Sequence, residues 1–470
     1  MTADASGFDN ALRLGLAGLI VAMASAAATA GDWLEQPTQT PGNWELKGDP
    51  LPPLDEILAR PRAEVPVYGL YTWGQEYRTH RRSINEIGWS NIRVSGPLDD
   101  ETMQALAEDD PDLLYTLGGR APDRRDQFDS DEAFLADYTR RVVETLERYG
   151  PGGTFFDENP DAPYRPLTQV NIWNEPNFQY MIADDPDRPR QELEREREAL
   201  YARMLPMAYE LIKDRWPQIT VVGFSAGAAA AAERRFIRNV HELSANVAQA
   251  YDVVSWQPYV HPGPPEAHSV RNWGSFSIAE GVAINRRTLA EFGRGDVPIW
   301  FTEGGWPISH ADGGFFPTGD RPYVSPELQA AYVVRFYALA MRLDVEKVHV
   351  MYVTDSDGFN GGFFLRDGSW RPSAHAVHNM IRLMPRPRLV DVLSDGDNGY
   401  YAYVFSPDDE LDHQVLMLWN VAGPRTVTVP VAHAETVTAH DMLGQQRTLE
   451  VTEGELELEI GPYPVYMVVP

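Results

Sequence analysis

The stretch that decides the fold is Val170-Asn171-Ile172-Trp173-Asn174-Glu175-Pro176-Asn177. Residues 168–173 are rich in β-forming side chains and follow Pro166, so they predict a β-strand. Pro176 has no backbone donor and ends any sheet ladder at that point. Asn174 and Glu175 therefore stand at the carboxyl end of a strand. Most carboxylates in such positions are solvated or cap a helix, so one motif of this kind is weak evidence.

A second stretch repeats the pattern, because Val297-Pro298-Ile299-Trp300-Phe301-Thr302-Glu303-Gly304-Gly305-Trp306-Pro307 is also an apolar strand that ends in a carboxylate. One function should account for both strand-end glutamates, Glu175 and Glu303. Hydrolysis of a glycosidic bond does so, because that reaction uses two carboxyl groups that flank the bond. One protonates the leaving oxygen, and the other attacks the sugar or activates water.

Apolar, β-rich segments alternate with helical patterns over residues 65–384. The predicted strands are 65–73, 91–95, 113–117, 170–173, 219–224, 253–259, 299–302 and 348–353. The clearest helical patterns are 131–149, 191–215, 233–248, 278–292 and 326–343, and a further helix runs to about residue 384. Alternation implies parallel strands, and eight units imply an α/β fold closed into a TIM barrel. A doubly wound open sheet is the alternative.

Three further segments flank this predicted barrel. Residues 1–30 resemble a secretory signal, with Arg13 before an apolar run and Ala28-Thr29-Ala30 as a cleavage site, which predicts an exported protein; an uncleaved anchor is the alternative. Residues 31–64 are proline-rich and predict an extended lead-in. Residues 388–470 contain short alternating strands, which predict a C-terminal antiparallel β-sandwich.

Composition limits the possible partners. The chain has 69 acidic and 40 basic residues, a net charge of −29 and no cysteine. Repulsion between like charges disfavours nucleic acid and anionic membrane surfaces as partners. The absence of cysteine excludes disulfides, thiolate metal sites and cysteine nucleophiles.

The two strand ends Asn174-Glu175-Pro176 and Thr302-Glu303-Gly304-Gly305-Trp306 resemble those of clan A glycoside hydrolases, the retaining TIM-barrel glycosidases, and most closely families 39 and 5. The run from Trp370-Arg371-Pro372 to Ala376 and the β-rich tail after it resemble the end of many clan A barrels, including those of family 39 enzymes. The resemblance implies a carbohydrate substrate and a reaction that needs no cofactor and no metal. It does not identify the sugar, although family 39-like enzymes acting on exopolysaccharide or β-xylosidic linkages are the nearest analogies.

The resemblance also implies roles for individual residues. Glu175 matches the acid/base at the end of strand four, and Glu303 matches the nucleophile at the end of strand seven. Asn174 matches the amide that binds the sugar 2-hydroxyl. Tyr259 and Arg93 match the tyrosine and the arginine that lie beside the nucleophile.

Four more residues are candidates for substrate binding by their position at strand ends. They are Trp73, His261, Trp306 and Tyr352. Many clan A members end strand eight with a tryptophan, and this chain departs from that pattern at the floor of the expected sugar site, where residues 350–355 contain none.

Two other functions stay open at this point. Gly223-Phe224-Ser225-Ala226-Gly227 fits the Gly-x-Ser-x-Gly motif of serine esterases, in which Ser225 would be the nucleophile. A non-catalytic protein that binds glycans or assists polysaccharide assembly would keep the barrel without needing both glutamates.

Overall fold

A computed structural model describes residues 52–227, 230–266, 277–308, 323–355, 360–396, 399–421, 423–431 and 434–469, and the side chains of these residues apart from 121 and 230–233. The predicted signal, residues 1–30, and most of the predicted lead-in lie outside these ranges. None of the helices within them is long and apolar enough to cross a membrane.

Eight parallel strands form a closed barrel in chain order, and the last strand pairs with the first. The strands are β1 (Tyr68–Trp73), β2 (Asn91–Ser95), β3 (Asp112–Leu117), β4 (Gln169–Ile172), β5 (Thr220–Ala226), β6 (Val253–Trp256), β7 (Ile299–Phe301) and β8 (Lys347–Val350). The predicted TIM barrel is confirmed, and the pairing of Tyr68 with Val348 excludes an open sheet.

Helices cover the outside of the barrel. They are α1 (Leu54–Leu58), α2 (Gly74–Ile87), α3 (Asp100–Asp109), α4 (Asp131–Tyr149), α5 (Thr154–Glu158), α6 (Arg190–Arg215), α7 (Ala230–Leu243), α8 (Ile278–Glu291), α9 (Pro326–Arg342) and α10 (Pro372–Leu383). Local signals explain several starts. Ser325 caps α9 and is followed by Pro326 at its first turn, whereas Ser277 and Glu280 form a capping box on α8.

The C-terminal region is antiparallel, as predicted. Its strands are β9 (Arg388–Asp395), β10 (Tyr400–Ser406), β11 (Gln414–Asn420), β12 (Arg425–Pro430), β13 (Thr436–His440), β14 (Gln446–Glu450), β15 (Glu455–Ile460) and β16 (Val465–Val469). Six of them form one sheet in the order β14-β13-β16-β11-β10-β9, and β12 pairs with β15. Alternate residues of β15, such as Leu456 and Leu458, are buried in the core between the two sheets.

The larger sheet packs against the barrel with its other face. Tyr403, Phe405, Met417, Trp419 and Tyr466 from that face belong to the same buried cluster as the barrel core. Burial of these large side chains holds the two regions together, since each contributes about 1.5–3 kcal/mol when fully removed from water. The sandwich therefore lies beside the barrel as part of one packed structure.

Candidate active site

The two strand-end glutamates lie at the same mouth of the barrel. Glu175 follows β4 and Glu303 follows β7, and the carboxyl ends of all eight parallel strands open on that face. Glu303 is 5% exposed and Glu175 is part-buried.

The backbone that presents Glu175 is strained. Trp173 and Glu175 have φ angles of 68° and 46°, in the left-handed region that costs a residue other than glycine about 1–2 kcal/mol. The Trp173 ring is fully buried and makes edge contacts with Phe134 and Tyr138, while the Glu175 amide donates to the Ser225 carbonyl at 3.1 Å. Packing and this hydrogen bond therefore hold a conformation that the chain would not adopt alone.

Both carboxylate oxygens of Glu303 accept hydrogen bonds. Arg93 Nη1 donates to Oε1 at 2.8 Å, and Tyr259 Oη donates to Oε2 at 3.0 Å. These donors stabilise the ionised form and fix the orientation of the carboxylate. The structure thus brings Arg93 and Tyr259 to Glu303, the residue beside which the family resemblance places them.

Arg93 is fully buried in the barrel and links several strands. Its Nε donates to Thr116 Oγ1 at 3.1 Å, Nη1 donates to the Thr302 carbonyl at 2.8 Å, and Nη2 donates to Asn174 Oδ1 at 2.7 Å. Its guanidinium also lies 4.5 Å from the centre of the Tyr71 ring. A buried guanidinium with this many partners fixes the geometry around both glutamates.

The hydrogen bonds of Asn174 determine which end of its amide faces the cleft. Its Oδ1 accepts from Arg93 and also from Gln257 Nε2, at 3.1 Å. Because both neighbours are donors, the oxygen must point toward them. The Asn174 Nδ2 has no partner within the described ranges, so it is the group that can donate to a bound molecule.

The two glutamates differ in electrostatic environment. Burial and the negative charge of Glu303 raise the pKa of Glu175 well above its ordinary value, against a smaller opposing effect of Arg93. Burial also raises the pKa of Glu303, but the charge of Arg93 and the hydrogen bonds from Arg93 and Tyr259 oppose that rise. In this coupled pair the proton therefore belongs on Glu175, and the charge belongs on Glu303.

Gly227 leaves room for the Glu175 carboxyl group. A side chain at position 227 would collide with Glu175 Oε1 and with the Phe178 ring. Asn177 holds Gly227 in place, because its Nδ2 donates to the Gly227 carbonyl at 3.0 Å and its Oδ1 accepts from the Gly227 amide at 2.8 Å. This close backbone approach contributes to the dry environment of Glu175.

The aromatic candidates from the sequence take different positions. Trp73 is 37% exposed at the end of β1, and the part-buried Tyr352 lies 5.5 Å from the Tyr71 ring. His261 is largely buried, with its ring 5.8 Å from that of Tyr259. Trp73 and Tyr352 thus offer accessible aromatic surface close to the site.

Trp306 does not take the position expected of a sugar-binding ring. It is 2% exposed, its indole Nε1 donates to the Gly263 carbonyl at 2.8 Å, and it packs edge-on against Tyr332 and Phe336. With both its faces covered, this ring supports neighbouring loops and offers no surface to a sugar.

Three residues near the glutamates were not identified from the sequence. Tyr71 stacks under Arg93, and Gln257 donates to Asn174. The third is Tyr180, and its burial together with the charges of Glu175 and Glu303 raises its pKa to about 12. Only Gln257 had a usable signal, as a polar residue directly after an apolar strand.

Ser225, the alternative nucleophile, is fully buried inside the barrel. Its Oγ lies 2.9 Å from Thr302 Oγ1 and 3.5 Å from Arg93 Nη2. No histidine is among its hydrogen-bond partners in the part of the chain that is described. A serine nucleophile needs an adjacent base and access to substrate, and this hydroxyl has neither.

No metal-binding cluster of three or more histidine, aspartate or glutamate side chains occurs among the described residues. The donors around Glu303 are an arginine and a tyrosine rather than a set of metal ligands.

Removing the Tyr259 hydroxyl should destabilise the ionised form of Glu303 without changing the shape of the site. We expect Tyr259→Phe to lower kcat/KM by about 10²-fold, because a donor that stabilises ionised Glu303 is lost. The pKa of Glu303 should rise, so the acid limb of the pH profile should move to higher pH. The pH dependence of kcat/KM checks this, and an unchanged acid limb would mean that Tyr259 does not act on Glu303.

Comparisons of sequence and of structure give different results. No protein-family model and no curated protein sequence matches the chain. Among solved structures, a family 39 glycoside hydrolase from Bacteroides cellulosilyticus WH2 is 19% identical with a TM-score of 0.61, covering 87% of this chain and 81% of its own. A family 39 enzyme from Xanthomonas axonopodis pv. citri is 15% identical with a TM-score of 0.55, covering 88% and 96%.

A third neighbour is a family 51 α-L-arabinofuranosidase from Bifidobacterium longum, which is 12% identical with a TM-score of 0.59 and covers 87% of this chain and 97% of its own. At these identities the likeness concerns the fold, and it agrees with the resemblance noted in the strand-end motifs. The chain therefore shares the fold of these family 39 and family 51 enzymes, a TIM barrel with a C-terminal β-sandwich.

Proposed function

We propose that this protein is an exported retaining glycoside hydrolase. One observation carries the proposal: two glutamates at the mouth of the barrel have opposite environments. The part-buried Glu175 carboxyl group accepts no hydrogen bond from the described residues, whereas Arg93 and Tyr259 both donate to Glu303. Glycosidases need this division between an acid and an ionised carboxylate. The structural neighbours support a glycosidase, and the N-terminal sequence supports export.

In the first step, Glu303 attacks the anomeric carbon while Glu175 gives its proton to the leaving oxygen. The bond from sugar to Glu303 forms as the glycosidic bond breaks, and the aglycone leaves as an alcohol. The Asn174 Nδ2 donates to the sugar 2-hydroxyl, an interaction that strengthens in the oxocarbenium-like transition state. Arg93 and Tyr259 keep Glu303 ionised before attack.

In the second step, Glu175 is ionised and acts as the base. It takes a proton from water as the water oxygen attacks the anomeric carbon, and Glu303 leaves as a carboxylate. The pKa of Glu175 follows its task. Burial and the charge of Glu303 raise it before attack, and the charge of Glu303 is lost in the glycosyl-enzyme, which lowers the pKa of Glu175 for its role as base. Two inversions at one carbon return the original configuration.

The configuration of the first product tests this proposal. A panel of aryl glycosides identifies a hydrolysed sugar, and ¹H NMR during the first minutes then shows which anomer forms before mutarotation. A retaining enzyme releases the anomer of the substrate. Release of the opposite anomer would replace the retaining mechanism by an inverting one, and hydrolysis of none of the glycosides would count against the function.

The esterase alternative makes a different prediction for Ser225. We expect Ser225→Ala to keep glycosidase activity within about tenfold of the parent, since the hydroxyl only bonds neighbouring side chains in the barrel. Neither protein should react with an organophosphonate. Phosphonate labelling of the parent at Ser225, lost in the variant, would favour an esterase instead.

A further inference from the structure

A buried ion pair joins the barrel to the sandwich. The Arg335 and Glu266 side chains are 0% and 3% exposed. Glu266 Oε1 accepts hydrogen bonds from Arg335 Nε at 2.9 Å and from Trp419 Nε1 at 2.8 Å, and Oε2 pairs with Arg335 Nη2. Arg335 Nη1 also donates to the Pro462 carbonyl at 3.1 Å. Helix α9 and strand β11 therefore meet at one carboxylate, and Arg335 also holds the turn before β16. We call Glu266, Arg335 and Trp419 the Glu266 cluster.

Glu266 lies ten residues beyond the end of β6, in a stretch of chain that begins at the active site. Residues 257–266 follow β6, and this segment carries Gln257, which bonds Asn174, and Tyr259, which bonds Glu303. The segment thus connects the sandwich directly to the partners of the sugar-binding amide and of the nucleophile.

A second contact holds the same segment from the barrel side. The Gly263 carbonyl accepts from Trp306 Nε1 at 2.8 Å, and the Trp306 carbonyl accepts from Gln329 Nε2 at 3.0 Å. Trp306 is three residues beyond Glu303, so the segment with Tyr259 and the loop with the nucleophile are fastened to each other. The Glu266 cluster fixes the far end of this arrangement.

Stability alone is a poor reason for such a cluster. Burying two charges costs desolvation energy, and the attraction between the charges only roughly offsets that cost. Apolar side chains of similar volume often stabilise the fold equally well or better. The ion pair and the indole hydrogen bond instead fix the relative orientation of the two regions, because each bond forms only in a narrow range of geometries.

We propose that the C-terminal sandwich is part of the positioning machinery of the active site. Through Trp419 and Glu266 it holds residues 257–266 so that Tyr259 stays in hydrogen-bond contact with Glu303. This inference rests on the proposed function. Trp419 and Glu266 are positioning residues, since their contacts reach the catalytic pair only through this segment.

The test is Trp419→Phe with Tyr403→Phe as matched control. Trp419→Phe removes the indole donor but keeps a ring that can stack on Tyr401, as the indole does at 4.9 Å. Tyr403→Phe removes one hydrogen bond within the same sheet, from Tyr403 Oη to Asp395 Oδ1 at 2.6 Å. Both variants should lower Tm. The control therefore shows what general destabilisation alone does to activity, apart from any loss of positioning.

We expect Trp419→Phe to lower kcat by about tenfold, and to move the acid limb of kcat/KM upward as Tyr259→Phe does. In the double variant with Tyr259→Phe, Trp419→Phe should have little further effect, because the contact it protects is already gone. Tyr403→Phe should leave the acid limb in place. An acid limb in Trp419→Phe that matches the parent, with a loss of Tm equal to that of Tyr403→Phe, would overturn the proposal.

Hydrogen–deuterium exchange gives a result that does not depend on activity. The backbone amides of the six residues other than proline in 257–266 should exchange faster in Trp419→Phe and stay unchanged in Tyr403→Phe. Equal exchange in both variants would contradict anchoring even if the parent proves inactive on every glycoside. Faster exchange in Trp419→Phe than in an inactive parent would mean that the proposed function fails and the anchoring stands.

Discussion

Replacing Glu303 by glutamine is expected to lower turnover by about 10⁴-fold or more, because a neutral amide cannot form the glycosyl-enzyme. The fold should survive, since glutamine has the same shape and its oxygen still accepts from Arg93. Steady-state kinetics on the best aryl glycoside measures the loss, and thermal unfolding shows whether the variant is folded.

Glu198→Gln is the matched control for this result. Glu198 is another largely buried glutamate, it accepts a hydrogen bond from Asn239, and burial raises its pKa, but it lies on α6 outside the catalytic pair. Its replacement should leave kcat nearly unchanged. Azide adds a stereochemical check, because with Glu303→Ala it should attack directly and give a glycosyl azide of inverted configuration. Activity of Glu303→Gln close to that of the control would remove Glu303 from the mechanism.

The effect of Glu175→Gln is expected to depend on the leaving group. For a glycoside with a poorly acidic alcohol, kcat/KM should fall by about 10²–10⁴-fold, since the departing oxygen is no longer protonated. For a dinitrophenyl glycoside, whose leaving group needs no proton, kcat/KM should change by less than about tenfold. A series of leaving groups of graded acidity, measured for parent and variant, separates these cases.

The second step of Glu175→Gln should also be slow, so the glycosyl-enzyme should accumulate after a burst of dinitrophenol. Azide, which needs no base, should then raise kcat and give a glycosyl azide of retained configuration. An equal loss for all leaving groups, with no effect of azide, would show that Glu175 does not transfer the proton.

The pH dependence follows from the same two environments. Burial and the charge of Glu303 raise the pKa of Glu175, so activity should fall at high pH as Glu175 loses its proton before attack. It should fall at low pH as Glu303 gains one. The two limbs belong to the coupled pair rather than to either residue alone.

The barrel could be predicted because its strands are apolar runs bounded by helices with clear caps, such as Ser325-Pro326 at α9. Four helices were not recognised: the one-turn helices α1 and α5, and the longer α2 and α3. Helix α2 starts with Gly74 directly after β1, and no side chain caps it, so neither a start signal nor a loop separates the two elements. Helix α3 is short, and although Asp99 caps it, its acidic first turn resembles a polar loop.

The placement of Glu175 and Glu303 at the barrel mouth was accessible from sequence because each glutamate closely follows an apolar strand. Tyr71 was not, because Tyr68 and Tyr71 belong to one strand and sequence does not show which of them faces the inside of the barrel. The burial of Trp306 could not be predicted for a related reason. Its burial depends on the Gly263 carbonyl, which a different loop supplies.

The link from the sandwich to the active site has no local signal at all. Glu266 and Trp419 are 153 positions apart, and each is unremarkable in its own stretch. Only the packing of β11 against the barrel brings the indole to the carboxylate. Long-range contacts of this kind are what a reading of strand and helix patterns cannot supply.

The most direct test of the central claim is the intact mass of the protein after incubation with a panel of activated 2-deoxy-2-fluoro glycosides. The fluorine slows both steps, and the activated leaving group lets the first proceed, so the glycosyl-enzyme accumulates. We predict a stable adduct for the sugar that the enzyme hydrolyses, mapped to the peptide with Glu303 and absent from Glu303→Gln. An adduct on another residue, or none for a sugar that the parent hydrolyses, would contradict the account.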